Sequence, residues 1–235
     1  MKALLVDLDD TLLDYTGGVD DSWYEACAAV AAPAGLDARA LTAAVIKARR
    51  WFWDDASRHR SERLDMMGAW TKVTAHALAE VGVTGSPLAA RIAEDFAARR
   101  WARMRLFPGV TDALHRLRQR GVSLALVTNG DRRQQRRKVE QYELAGYFDA
   151  ILIEGEFGAG KPDPSVYRHV LDSLGAKPSE SWMVGDNLEW DVDGPQRQGL
   201  RGVWVDLRGQ GLPESSPVVP HRIIRAFPDL LAAGS

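Results

Sequence analysis

From Phe107-Pro108-Gly109 onward, short apolar segments alternate with helical ones, and this alternation is the strongest constraint on the fold. Strands are expected at Ser123–Thr128, Ala150–Glu154, Trp182–Val184 and Gly202–Val205, with helices over about 110–120, 132–144, 164–174 and 189–198 between them. Strand–helix–strand repetition implies right-handed crossovers and a parallel sheet. Asp163-Pro164 supports one helix start directly, with Asp as N-cap and Pro at the first helical position. Residues 3–9 add a strand, apolar up to Asp7 and without alternation, as a strand buried on both faces should be.

The first and second strands are separated by a stretch of about ninety residues, too long for a simple crossover. Over residues 15–105, Ala, Trp, Arg and Glu recur at helical spacing and β-branched runs are absent. Breaks near Pro33–Gly35, Ser57 to Ser61 and Gly82 to Pro87 divide it into about four helices, enough for a small bundle. The expected organisation is therefore a doubly wound α/β core made of residues 1–14 and 106–235, with residues 15–105 inserted as a helical cap. Glycines at Gly17, Gly18 and Gly109 would let the two connections hinge.

Composition excludes several classes. No apolar run approaches the roughly 18 residues that a membrane helix requires, and the N-terminus meets Asp7 too early for a signal peptide. A cytoplasmic protein is expected. The lone Cys27 can form neither an intramolecular disulfide nor a thiolate metal site, and reads as buried filler. Net charge is −2, so no global field advertises nucleic acid. Residues 15–105 carry 13 Lys and Arg against 11 Asp and Glu, which places the acidic balance in the core segments.

Four polar segments lie where such a sheet would present its ligand site, the carboxyl ends of strands and the loops beside them. They are Asp7-Leu8-Asp9-Asp10-Thr11, Thr128-Asn129-Gly130-Asp131, Gly160-Lys161-Pro162, and Gly185-Asp186-Asn187 followed by Asp191. Asp7 and Asp186 at strand ends could hold Mg²⁺, a hard cation that takes oxygen ligands. A carboxylate can also attack phosphorus, which makes Asp7 a candidate nucleophile. Lys161 and the Thr128 hydroxyl, with backbone groups at Asn129 and Gly130, would hold the transferring group. Asp9 could protonate the leaving alkoxide and later activate water. Each segment alone has an ordinary reading as a turn or helix cap. Their order and their polar membership argue for one site.

These residues resemble the signature motifs of the haloacid dehalogenase superfamily of hydrolases: Asp7, Asp9 and Thr11 in the first, Thr128 in the second, Lys161 in the third, and Asp186 with Asp191 in the fourth. The resemblance spans nearly the whole chain and implies a Rossmann-like core, a cap between the first two motifs, and Mg²⁺ held by Asp7, Asp9 and Asp186. Thr11, Asn187 and Asp191 would support the site. Thr128-Asn129-Gly130-Asp131-Arg132, Gln135-Arg136, Lys138 and Tyr147–Ala150 further resemble the N-acylneuraminate-9-phosphatase branch. The expected activity is hydrolysis of a small phosphorylated metabolite: a sugar, sugar-acid or nucleotide phosphate. Trp190 departs from the branch's small or polar residue and would either narrow the space beside Asp191 or pack outward.

Three other functions use the same scaffold. A 2-haloacid dehalogenase needs no proton donor for its halide and lacks the second Asp, so Asp9 argues against it. A phosphomutase shares Asp9. A non-catalytic binding module would not be expected to keep Asp7, Asp9, Thr128, Lys161 and Asp186 together. The basic run Arg132, Arg133, Arg136, Arg137 and Lys138 reads as a solvated helix face, with no aromatic interleaving to suggest nucleic acid. Arg58, His59, Arg60 and Arg63 are candidates to meet an acidic substrate. Trp51, Trp53, Trp70 and Trp101 are expected to pack between helices.

Overall fold

The computed structural model describes residues 1–232. The chain opens with β1 (Ala3–Val6) and a tight turn into β2 (Leu13–Asp14), then runs through five helices, α1 (Val19–Ala31), α2 (Ala38–Trp53), α3 (Ala56–Glu62), α4 (Met66–Glu80) and α5 (Leu88–Arg103). It returns through β3 (Arg105–Leu106) to α6 (Val110–Gln119), β4 (Ser123–Thr128), α7 (Arg132–Gln141), β5 (Ala150–Ile153), α8 (Glu154–Phe157) and α9 (Pro164–Leu174). β6 (Ser181–Gly185), α10 (Gly194–Arg197), β7 (Arg201–Val205) and β8 (Arg222–Ile224) complete it. Two compact units result, one of Met1–Tyr15 with Arg105–Ser235 and one of Thr16–Met104.

The first unit is a doubly wound Rossmann-like fold. Its six strands lie in the order β5-β4-β1-β6-β7-β8, and every pairing is parallel. β1 is central, with Leu5 opposite Ala125 on one side and Met183 on the other. That explains its unbroken apolar sequence: all four residues are wholly buried. The strand order reverses direction at β1 and β6, and a crevice beyond the carboxyl ends of those strands is the usual ligand position of such sheets.

The first strand ends at Val6, earlier than expected, because the chain doubles back at once. The N–H groups of Leu12 and Leu13 both donate to the Leu8 carbonyl, and Asp10 takes a left-handed φ of 57°. Asp is among the few non-glycine residues that tolerate this region. The turn delivers Leu13–Asp14 to an antiparallel pairing with Arg105–Leu106, so the two ends of the insertion are joined by a two-residue ladder. β8 was not expected. Its three residues pair with Val203–Val205, and Asp206 N–H continues the pattern by donating to Ile224.

The second unit has five helices where the sequence suggested about four. The extra one, α3, forms where a break near Ser57 to Ser61 was expected, because Asp55 caps it by accepting from the Ser57 and Arg58 N–H groups. Trp23 and Phe96 stack at the centre of the unit with ring centroids 3.6 Å apart, and Trp70 meets Phe96 edge-on at 5.1 Å. Trp70 is thus packing, whereas Trp51 is half exposed and stacks on His76. Arg58 lies over the Trp51 ring at 4.0 Å and donates to its carbonyl, which ties it to its own helices. Cys27 is buried, and burial pushes its thiol up to about 11. No helix among the described residues is long and apolar enough to cross a membrane.

Phe96 is wholly buried and shared by the stacked and the edge-on ring contacts. Phe96→Ala should destabilise the helical unit by about 3–5 kcal/mol, the range for removing a buried aromatic side chain, read as a lower urea midpoint for the loss of helical circular dichroism.

Candidate active site

Asp7 immediately follows β1, and its N–H donates to the Val184 carbonyl on β6 at 3.0 Å, which fixes the carboxylate at the carboxyl end of the sheet. Lys161 Nζ donates to Asp7 Oδ1 and to Asp191 Oδ1, each at 2.7 Å, and is wholly buried. Thr11 donates its hydroxyl to Asp7 Oδ2 at 3.1 Å. The Asp7, Asp186 and Asp191 carboxylates offer oxygens within 4.8 Å of one another.

The loop that carries Lys161 is held from behind. Asn129 Nδ2 donates to the Lys161 carbonyl and Asn129 Oδ1 accepts from the Lys161 N–H, both at 2.7 Å. Gly160 makes room for this approach, since a Cβ there would run into the Glu154 carboxyl group and fall 2.8 Å from Asn129 Oδ1. The Gly130 N–H donates to Glu154 at 2.9 Å. The Asn129 side chain and the Gly130 N–H are therefore committed to the protein and brace the Lys161 loop. Thr128 is buried at the end of β4, and its hydroxyl oxygen accepts from Gln135 Nε2 at 2.5 Å.

The fourth segment is organised by Asn187, whose side chain caps the turn over Leu188–Asp193 by accepting from the Glu189 and Trp190 N–H groups. That π-helical turn and α10 occupy the stretch where one continuous helix was expected. The turn swings Asp191 back against β6, where its Oδ2 accepts from the Asn187 N–H. Gly185 is a glycine because any Cβ would run into the Asp191 carboxyl group. Trp190 does not displace Asp191 from Lys161, and its carbonyl accepts from the Tyr167 hydroxyl at 2.6 Å. Trp204 Nε1 donates to the Asp186 carbonyl at 2.8 Å.

Asp9, expected with Asp7 and Asp186 as a Mg²⁺ ligand, has its carboxylate held apart from this acidic group, where Asp191 is the third member instead. Its carboxylate meets Lys138 Nζ at 2.8 and 2.6 Å and accepts from Gln135 Nε2 at 3.1 Å. This corrects the reading of the basic run on α7: Lys138 is wholly buried rather than part of a solvated face. The signal lay in the helix itself. RRQQRRKVEQ has one apolar residue, Val139, yet the helix must cover an interior, so Gln135 and Lys138 share its buried side at i and i+3 spacing.

The acidic group is electrostatically unbalanced without a cation. Burial, and then the neighbouring Asp191 and Asp9 charges, raise Asp7 to about 7 against the pull of Lys161. Burial followed by Asp7, Asp191 and Asp10 raises Asp186 to about 9. Lys161 is buried, yet Asp191 and Asp7 hold it above the ordinary lysine range and fully charged. Oxygen donors crowded in this way suit a hard divalent cation.

A match to the haloacid dehalogenase-like hydrolase family covers residues 1–199. Phosphoserine phosphatase of Thermus thermophilus is 39% identical over 92% of this chain and 94% of its own length. N-acylneuraminate-9-phosphatase of Rattus norvegicus is 43% identical over 112 residues, 47% of this chain and 45% of that protein. Among solved structures, the HAD-hydrolase YfnB of Bacillus subtilis bound to magnesium superposes with a TM-score of 0.72 at 20% identity, covering 97% of this chain and 96% of that one. The chain belongs to the haloacid dehalogenase-like hydrolase family and is an enzyme of its phosphatase kind.

The raised carboxylates set a pH dependence. Both ionise near 3.8 when unfolded but only near 7 and 9 when folded and metal-free. Between these values the folded state holds more protons, so stability falls as pH rises. The melting temperature of metal-free protein should therefore drop from about pH 6 to about pH 8.5, and Mg²⁺ should raise it more at the higher pH, where no proton must be displaced. Thermal melts with and without Mg²⁺ at both pH values check this.

Proposed function

We propose that this protein is a Mg²⁺-dependent phosphomonoester hydrolase that works through an aspartyl-phosphate on Asp7. The observation that carries the reading is the buried Lys161 ammonium bridging Asp7 and Asp191, with Asp186 alongside and Asp9 two residues from Asp7. A carboxylate held on one oxygen by a cation and on the other by the Thr11 hydroxyl has one orientation, which is what attack on phosphorus needs. Asp7 and Asp186, with Asp191 beside them, would hold the cation. When bound, it would screen the repulsion between the nucleophile and a phosphate dianion.

The chain's own groups account for the remaining steps. An Asp7 oxygen bonds to phosphorus as the bond to the leaving oxygen breaks, and Asp9 gives that oxygen a proton. Water then attacks the phosphorus of the aspartyl-phosphate, its proton passing to Asp9, and the Asp7 carboxylate is released with inorganic phosphate. Lys161 stays charged throughout and would meet the negative charge on the transferring group, and the Thr128 hydroxyl would bind one of that group's oxygens. A halide leaving group would give Asp9 nothing to protonate, which favours phosphate esters over haloacids.

The substrate class is a small phosphorylated metabolite. Support comes from relatives whose names specify phosphoserine, N-acylneuraminate 9-phosphate and, at 33% identity over 43% of this chain, glyceraldehyde 3-phosphate in a Pyrococcus furiosus protein. Specificity would then reside outside the shared sheet residues, with the Thr16–Met104 unit and its Arg60 and Arg63 as the place to vary.

Asp7→Asn should reduce phosphate release from any phosphomonoester to background with the fold retained, since an amide cannot serve as nucleophile. Rapid acid quenching of wild type with a phosphorylated substrate should leave acyl-phosphate on a peptide containing Asp7, and none on Asp7→Asn. Chelation should abolish turnover and Mg²⁺ restore it. Asp9→Ala should lose about 10²–10⁴-fold in the burst phase on alkyl phosphates, the usual worth of a general acid, and much less on aryl phosphates. A screen of phosphorylated metabolites for phosphate release identifies the preferred substrate.

A further inference from the structure

Lys138 and Gln135 belong to none of the four motif segments, yet both are buried beside two of them. Lys138 Nζ has three N–H donors and three acceptors within 2.8 Å: Asp9 Oδ1, Asp9 Oδ2 and Gln135 Oε1. The ammonium also sits 4.0 Å from the Tyr15 ring centroid, an electrostatically favourable face for a cation. The donors are therefore fully used. Moving Asp9 would strip a buried cation of two partners.

Lys138 also settles which way Gln135 points. A cation can only donate, so the atom facing it must be the amide oxygen, and the amide nitrogen must face the other way. That nitrogen lies 3.1 Å from Asp9 Oδ2 and 2.5 Å from Thr128 Oγ1. Because Gln135 donates to the Thr128 oxygen, the hydroxyl proton of Thr128 must point away from it; its acceptor here is the Asn129 carbonyl at a long 3.5 Å, a weak bond that a phosphoryl oxygen would replace. One chain of bonds thus runs from Lys138 to Asp9 directly, and through Gln135 to Asp9 and Thr128.

We propose that Lys138 and Gln135 are positioning residues for phosphoryl transfer: Lys138 fixes the Asp9 carboxylate against the leaving oxygen, and Gln135 directs the Thr128 hydroxyl proton toward the transferring phosphoryl group. The proposal rests on the reading of Asp7 as nucleophile and Asp9 as acid. A purely structural ion pair would be a poor use of these groups. Burying a lysine carries a desolvation cost that apolar residues of similar size avoid, so stability alone does not call for it.

The test compares the phosphorylation burst of wild type, Lys138→Met and Lys138→Cys on an alkyl phosphate that the wild type hydrolyses and on p-nitrophenyl phosphate. Lys138→Met should lose about 10–100-fold on the alkyl ester, part of the general-acid effect, and less than about 3-fold on the aryl ester, whose leaving group needs little protonation. Alkylating Lys138→Cys with 2-bromoethylamine places an ammonium at nearly the original distance and should restore the alkyl burst. The buried position is reached by alkylating in urea and refolding, in a Cys27→Ala background so that position 138 carries the sole thiol. Equal losses on both esters, or no rescue by the aminoethyl group in a folded protein, would overturn the proposal. If Lys138→Met does not fold, Gln135→Glu keeps the Lys138 pairing but cannot donate to Asp9 or Thr128, and it should show a larger loss on the alkyl ester. An unchanged burst in Gln135→Glu also overturns the proposal. A wild type with no acyl-phosphate on any ester would instead remove the underlying reading.

Discussion

The Lys161 ammonium is the charge on which the arrangement depends. Three carboxylates with oxygens within 4.8 Å of one another at the end of an apolar sheet repel one another, and two of them, Asp7 and Asp191, are buried. A fixed cation bonded to two of them makes the cluster possible. Such a cation must itself be held, because a buried charge with an imperfect partner is costly. The holding is done by main chain: both N–H and C=O of Lys161 are taken by the Asn129 side chain. The turn after β4 is thereby a brace for a loop more than thirty residues further on.

Two lysines divide the first motif between them. Asp7 faces Lys161 and the acidic group, and Asp9 faces Lys138 and Gln135. Two carboxylates separated by a single residue thus receive different surroundings, which is how one short segment can supply groups with different duties. The left-handed Asp10 makes the separation possible, since the chain reverses there instead of continuing as a strand.

Much of this was legible in the sequence. The apolar runs at β1 and β4 announced a buried sheet because nothing in them needs water, and polar groups directly after such runs marked a candidate site. The Gly185-Asp186 pair was legible as a motif, but not the reason for its glycine, which lies six residues away in the Asp191 carboxyl group. Helix α3 was hidden because the serines that suggest a break, Ser57 and Ser61, lie inside it, behind the Asp55 cap. Lys138 was hidden more deeply. In one dimension it is one cation among five neighbours in a polar helix. Only the requirement that this helix cover an interior distinguishes it from Arg136, which pairs with Glu156 at the surface. The three-residue β8 has too little pattern to register at all.

The two-residue ladder between β2 and β3 has a consequence for how the sheet is made. β1 is synthesised first, yet its neighbours begin only at Ser123 and Ser181. Closing such long loops from an open chain is entropically slow. The intervening Thr16–Met104 segment is continuous, however, and its own folding brings its ends together, with Arg103 donating to the Ser22 hydroxyl near one terminus. Once Leu13 meets Leu106, the effective distance along the chain from β1 to β4 shrinks to the short pieces on either side. In the folded chain the ladder thus acts as a clasp, holding the segments that precede and follow the insertion side by side so that β1 and β4 are joined by a short through-space route.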